Sequence, residues 1–507
     1  MQFWNMTRNS PELSARVREI ALELTSWPSV TGGPDEGVFA RKLAGYLSGF
    51  DVVETQDVEA GVHPWSNLFA LKRGKGRKTI VLTGHFDVVP IDDYGDLKSL
   101  AFNAERLLPE IVVRLKRSGE NPLALADFES GNFLPGRGLL DMKAGLAAGI
   151  AAIETYDGDC NLLFLAVCDE EDRSSGARAA APFLKSFAAE LDLDIALVIN
   201  LDAISDQGDG ATGRVVALGS IGKQLLTAFV VGKEAHACYP QDGANAAYLA
   251  AELLTEFELA PELAEITGDE VAAPPTALHA KDLKQGYNVT TPGQCWLYWN
   301  TLQHKRSAAE VFGISLTLAR RAMARASLKV KRTIPVLTYA EVAARVAPGA
   351  LAAKASEIAK LSRLDLPERA KLLTEFAWSQ SGQSGPAVVM GFGSIPYPAV
   401  SLCDAELERC IVTAAKSHGL GSVRYFPGIS DMSYFGEASG NLKAAADNTP
   451  IWGTSFAMPE PAGYPCINIG PWGRDYHHWL ERLHAPYAFE TLPKVLLAVI
   501  DAVAKKG

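Results

Sequence analysis

Four short apolar runs constrain this chain most: Asn67 to Leu71, Thr79 to Thr83, Asn161 to Cys168 and Asp194 to Leu201, each bounded by turn residues. A strand covered on both faces reads as an uninterrupted apolar stretch, as these do. Between them lie helical patterns, Met142 to Glu154 and Ala177 to Leu191. Strands alternating with helices predict an α/β domain with a mainly parallel sheet. Before the first run, Ser10-Pro11 reads as a helix start. Leu13, Val17, Ile20 and Leu24 then recur at helical spacing until Pro28, and Phe39, Leu43 and Leu47 predict a second amphipathic helix.

Near Gly213 the rhythm changes. Val215 to Leu218, Gln224 to Val231, Ala244 to Phe257, Tyr287 to Trp299, Ala308 to Ala326 and Leu328 to Val336 read as strand, strand, helix, strand, helix, strand, the order of a ferredoxin-like α+β insert. The predicted organisation is therefore residues 1–213, an insert over 214–336, and a returning α/β part over 337–507 that carries an extra helical segment at 339–383.

Charge and cysteine content exclude several classes. A net charge of −11 argues against nucleic acid, which needs a concentrated basic face. The one dense basic cluster, Lys72 to Lys78, contains two glycines between apolar runs and reads as a hairpin turn. Seven dispersed cysteines without a CxxC pair predict free thiols in a reducing compartment. No run approaches the length of a membrane span and the first residues have no signal-like apolar core, so a soluble, cytoplasmic protein without a membrane partner is expected.

In open α/β sheets ligands gather beyond the carboxyl ends of the strands. The first polar residues after three runs are His85 and Asp87, Asp169-Glu170-Glu171, and Asp202. A glycine-rich loop delivers Asp141 to the start of an alanine-rich helix, and Tyr476 to Glu481 adds His477 and His478. Taken singly, Asp141 could be a helix N-cap, His85 a hydrogen-bonded loop residue and Glu170-Glu171 a solvated pair. Crowded at one sheet edge, these groups would repel or go unsatisfied without a cation. Two histidines and three carboxylates suit zinc or a similar ion, and one shared carboxylate would let two ions sit about 3.5–4 Å apart. Asp87 is placed to orient a ligating histidine.

GHFDVVP, GRGLLDMKAG, DEEDRSSGAR, a strand followed by Asp202, EAHACYPQDGANAA and a late HxxxE occur in one order along the chain and resemble the M20 family of metallopeptidases and deacylases. SDMSYFG and GPWGRDYHHWLERL look most like its branch called arginine utilization protein RocB. The resemblance implies a zinc-exopeptidase-like catalytic domain interrupted by a lid and dimerisation domain, hence a homodimer. It implies two divalent ions per chain, Zn2+ first, with Mn2+ or Co2+ as alternatives. Asp141 would bridge them, His85 and Asp202 completing one site, Glu171 and His477 the other. His477 is preferred to His478 because Glu481 follows it by four residues. Glu170 matches the general base, Asp87 the partner of His85, His236 an insert histidine that stabilises the oxyanion from a partner subunit, and Asn288 an asparagine near the substrate.

The activity so implied is hydrolysis of a small N-acyl amino acid, acyl-amine or dipeptide-like amide by a metal-bridged hydroxide, with Glu170 accepting and returning the proton. The chain departs from the family's pattern in the 56-residue spacing of His85 and Asp141, which predicts an insertion within Ile91 to Pro135, and in segment 339–383. It also has Tyr298-Trp299-Asn300 where relatives carry an arginine for a substrate carboxylate. The last departure motivates an alternative, a non-catalytic binding or regulatory protein that retains the metal site. A glycosidase using Glu170 and Asp202 leaves Asp141 and both histidines without a role.

Overall fold

A computed structural model describes residues 11–59, 63–361, 363–438, 440, 442–456 and 461–506. Ser10 lies outside these. The chain divides into two compact units, one formed by 1–220, 401–437 and 459–507, the other by 221–400 and 438–458.

The first unit is built on an eight-stranded sheet. Its strands are β1 (Val52–Val58), β2 (Trp65–Lys72), β3 (Lys78–His85), β4 (Asn161–Val167), β5 (Asp194–Asn200), β6 (Val215–Ala217), β7 (Gly421–Val423) and β8 (Cys466–Asn468). Their spatial order is β1-β2-β4-β3-β5-β8-β6-β7. The central pairs β4·β3, β3·β5 and β5·β8 are parallel, while β1·β2 and β2·β4 are antiparallel. The chain is thus mixed α/β with a mainly parallel sheet, as its apolar runs predict. The basic cluster at 72–78 is not a hairpin: β2 and β3 are separated by β4, which inserts between them. The register sets His85 beside Val167 and Thr83 beside Asn200, so the carboxyl ends of β3, β4 and β5 come level.

Helix Ala144–Thr155 explains how the sheet is covered. Its residues from Ala144 to Ile153 are all buried, because small side chains let it lie between the sheet and the helices Pro11–Thr25 and Leu492–Lys505. At Gly145 a Cβ would stand 2.1 Å from the carbonyl oxygen of Leu201, so only glycine permits this approach. Asp141 is not its N-cap. The cap position is Lys143, and Asp141 sits in the preceding turn, Leu139–Lys143.

A second, four-stranded sheet orders Phe133–Pro135, Arg482–His484, Trp472–Arg474 and Ile204–Ser205. It ties three segments together: the approach to Asp141, the hairpin bearing His477 and the strand just after Asp202.

The second unit has a five-stranded sheet in the order Thr276–Asp282, Gln294–Gln303, Gly222–Val231, Ala387–Phe392 and Val336–Thr338. Helices Ala246–Phe257 and Ala308–Val330 bury Leu226, Ala228, Val230, Leu297 and Trp299 on one face. The ferredoxin-like order emerges after four corrections, the first being strand Thr276–Asp282, absent from the predicted set, which pairs with Gln294–Gln303. Val215 to Leu218 belongs to the first unit's sheet, where it pairs with β7. Leu328 to Val330 ends the long helix, with Lys331 in the left-handed conformation as its C-cap. The strand in fourth position is Ala387–Phe392, which pairs antiparallel with Gly222–Val231. Consequently the unit runs to Val400 and takes in segment 339–383, whose helices Pro348–Ala359 and Leu366–Gln380 pack on each other, the latter also on Gly222–Val231. Among the described residues no helix is long and apolar enough to cross a membrane.

Candidate metal centre

His85 ends β3 and turns into the site while Phe86 points back, stacked on Phe39 at 4.7 Å. The His85 Nε2 lies 3.2 Å from Asp141 Oδ1, 3.8 Å from Asp202 Oδ1 and 4.0 Å from Glu170 Oε2. Its Nδ1 is 3.0 Å from the main-chain oxygen of Asp87, to which it donates, leaving Nε2 towards the carboxylates. On the other side of Asp141, His477 Nε2 lies 3.2 Å from Asp141 Oδ2 and 3.1 Å from Glu171 Oε2. Ligand atoms of His85, Asp141 and Asp202 fall within 4.8 Å of one another, as do those of Asp141, Glu171 and His477, and of His85, Glu170 and Glu171. Asp141 is common to the first two groups.

Asp87 differs from its expected role. Its carboxylate is 3.7 Å from His85 Nδ1, but it accepts hydrogen bonds from the backbone N–H groups of Glu170 (3.0 Å) and Glu171 (3.2 Å) and from the Thr31 hydroxyl (2.8 Å). It therefore braces the Glu170-Glu171 turn, and its own carbonyl orients His85.

Burial and mutual repulsion set the electrostatics. Burial pushes Glu171 up to about 7 against the hydrogen bond from His477. Glu170 is raised well above the carboxylate range by burial, with Asp431, Glu171 and Asp202 adding and His85 opposing. Burial also disfavours the charged forms of His85 and His477, yet their carboxylate neighbours outweigh it. His85 is held well above an ordinary histidine and His477 at about 10. Asp141 is likewise disfavoured by burial, but its two histidines pull it below the ordinary range. Such a set of oxygen and imidazole donors, with His477 alone exposed, fits two divalent cations.

Residues around these side chains hold them in place. Asn468 accepts from the Asp202 N–H (3.0 Å) and donates to the Asp202 carbonyl (2.9 Å). Glu481 accepts from the N–H groups of Gly138 (2.9 Å) and Leu140 (3.3 Å) and from Arg137 (2.8 Å). Glu36 accepts from the Asp169 N–H at 2.8 Å, and burial pushes it up to about 9. Lys143, fully buried, donates to the Trp27 carbonyl (2.7 Å) and burial lowers it to about 7. Asp431, also buried, is pushed up to about 7 by burial against Ser174 and His85, with Asp87 and Asp202 adding. SDMSYFG and the late HxxxE contain Asp431 and Glu481, but their pattern alone implies no contact for either residue. Lys143 lies in the motif GRGLLDMKAG without an assigned role, and no pattern in the sequence marks Glu36 or Asn468.

His236 and Asn288 belong to the second unit. They stand on facing loops, where Ala237 N–H donates to the Val289 carbonyl (2.9 Å) and Asn288 Oδ1 accepts from the Thr290 hydroxyl (2.7 Å). Both are exposed. The remaining expected site residues, His85, Asp87, Asp141, Glu170, Glu171, Asp202 and His477, converge in the first unit.

Comparison with known proteins bears on this centre. The family model described as peptidase family M20/M25/M40 matches residues 81–446. The protein YqjN of Bacillus subtilis is 32% identical over 527 aligned positions, covering 96% of this chain and 95% of YqjN. Protein RocB of the same organism is 26% identical, covering 98% and 96%. Among solved structures, the Bacillus subtilis YXEP protein, described as a dinuclear metal binding peptidase from the M20 family, superposes with a TM-score of 0.51 at 12% identity, covering 97% of this chain and 99% of that one.

Proposed function

The chain belongs to the M20/M25/M40 family of peptidases, and on that premise we propose that it is a dinuclear amide hydrolase of Zn2+ class, with Mn2+ or Co2+ as substitutes. Its substrate is a small N-acyl amino acid, acyl-amine or dipeptide. The observation that carries the reading is Asp141 with one carboxylate oxygen towards His85 and the other towards His477. His85, Asp141 and Asp202 would hold one ion, and Asp141, Glu171 and His477 the other. Divalent ions there would supply Lewis-acid chemistry, activating water and polarising the scissile carbonyl. Glu170, beside His85 and raised in proton affinity, accepts a proton from the attacking water and returns it to the leaving nitrogen. Asp87 keeps Glu170 and Glu171 at the height of His85.

Metal analysis of purified protein should find up to two ions per chain. Chelation should abolish hydrolysis of a panel of acyl-amino acids, acyl-amines and dipeptides, and zinc, manganese or cobalt should restore it. Protein that binds no divalent ion with His85 and His477 intact overturns the reading.

The second unit acts as lid and dimerisation domain, His236 reaching a partner subunit's centre and Asn288 contacting substrate. What supports this is their exposure on adjoining loops and the edge position of strand Thr276–Asp282. Mixing His236→Ala with Glu170→Gln protein should restore activity through mixed dimers; no recovery argues against action in trans. Seven free cysteines support a reducing, cytoplasmic setting.

A further inference from the structure

The segment from Ile91 to Pro135, within which an insertion is expected, supplies two carboxylates near proposed ligands: Asp93 clamps one arginine and Asp127 two. Asp93, in the 3₁₀ turn Asp92–Leu100, accepts from Arg137 at 2.9 and 3.0 Å. Arg137, 1% exposed, lies over the ring of the segment's Tyr94 at 5.2 Å and donates its other terminal nitrogen to Glu481 at 2.8 Å. Glu481 in turn holds the N–H groups of Gly138 and Leu140, on the turn that carries Asp141. Asp93, Arg137 and Glu481 thus form a chain from the segment to Asp141.

Asp127, in helix Pro122–Glu129, does the same for His477. Its carboxylate accepts from Arg482 Nε at 2.7 Å and from Arg474. These arginines face each other across the strand pair whose loop bears His477. Two like charges directly opposed on a buried strand pair are unfavourable, and Asp127 lies between them. Arg482 also pairs with Asp475, two residues before His477. The segment's last strand, Phe133–Pro135, completes the brace by pairing with Arg482–His484.

We infer that segment 91–135 is a brace for the metal centre, with Asp93 and Asp127 as positioning residues that fix Asp141 and His477 through Arg137, Arg474 and Arg482. This rests on the proposed ligand assignment. The brace aligns ligands before an ion arrives, so its loss lowers metal affinity and not only fold stability.

The test uses full-length Asp93→Asn and Asp127→Asn proteins, freed of metal and titrated with zinc against a chromophoric chelator. Wild type must bind two ions; if it binds none, the ligand assignment itself fails and the brace is not the cause. Given two ions in wild type, each variant should bind at least one about 10–100-fold more weakly while keeping a cooperative unfolding transition. Asp93→Glu should recover most of the affinity. Asp93 is partly exposed where Asp127 is buried, so Asp93→Asn is the milder change and decides alone if Asp127→Asn does not fold. Variants that bind both ions as wild type does, whatever their melting temperature, overturn the inference.

Discussion

Replacing Asp87 by asparagine separates two accounts of that residue. In the structure its carboxylate takes the Glu170 N–H on one oxygen, and the Glu171 N–H and Thr31 hydroxyl on the other. Asparagine keeps only one oxygen. The Thr31 hydroxyl can turn to accept, since it also reaches the Val88 carbonyl at 3.1 Å, but a backbone N–H cannot. Whichever way the amide is set, its –NH2 faces one of the two N–H groups. A buried donor left unsatisfied costs about 1–3 kcal/mol, and the surviving bonds lose their charge assistance. Relief of repulsion with Glu36 and Asp169 returns part of this, though both are already pushed towards the protonated form. A net local destabilisation of about 2 kcal/mol remains, which is roughly a 30-fold rise in the opening equilibrium of the turn. Hydrogen exchange of the peptide spanning Cys168 to Ser174 reads this directly, alongside kcat. Faster exchange there with a fall in kcat supports the brace. Unchanged exchange combined with weaker metal binding refutes it and returns Asp87 to a role acting on His85.

Further outcomes follow from other residues. Glu170→Gln should lower kcat about 10²–10⁴-fold, while the unfolding midpoint holds or rises, because a neutral amide suits a site that already disfavours the carboxylate. Gly145→Ala forces a Cβ to 2.1 Å from the Leu201 carbonyl, so helix Ala144–Thr155 must leave the sheet; a loss of about 3 kcal/mol or more should appear as a lower denaturation midpoint. His484, packed edge-on against Phe133 and tilted against Trp472, is lowered to about 4 by burial and by the charges of Arg214 and Arg474. A group depressed in the fold binds its proton more readily when unfolded. Stability is thus full above pH 6.5 and lost by about 1–3 kcal/mol as pH falls towards 4, and His484→Phe should flatten that limb in pH-dependent denaturation.

What could be read from sequence was whatever one strand or one loop determines alone. β3, β4 and β5 have apolar centres because both faces are covered, so their ends, and with them His85, Glu170, Glu171 and Asp202, stood out. Pairing could not be read in the same way. The glycines at 74 and 76 favour a turn but do not dictate that β4, nearly ninety residues later, enters between β2 and β3. Leu328 and Val330 alternate as in a strand, yet the helix carries on through them, and Ala387–Phe392 takes the strand position from a distance no local pattern spans. The bracing contacts were hidden for a related reason. Asp87 serves backbone N–H groups, which every residue possesses, and Asp127 serves arginines roughly 350 positions away.

The two histidines are unequal, and the inequality orders the loss of metal on the proposed assignment. The His85 side chain is 3% exposed, its Nδ1 is fixed by the Asp87 carbonyl, and its partner Asp202 is bracketed by Asn468. The His477 side chain is 46% exposed and its backbone lies at φ 63°, in the left-handed region a histidine seldom adopts. Water and chelator therefore reach the His477 side first, while coordination around His85 is buried and its imidazole already oriented. Chelation of cobalt-loaded protein should run in two phases, with rates separated by roughly tenfold or more. His477→Ala should retain one ion and lose the fast phase. Loss of both ions in a single phase, or a His477→Ala protein that binds none, would show that the two sites stand or fall together through Asp141, and that the burial difference does not govern release.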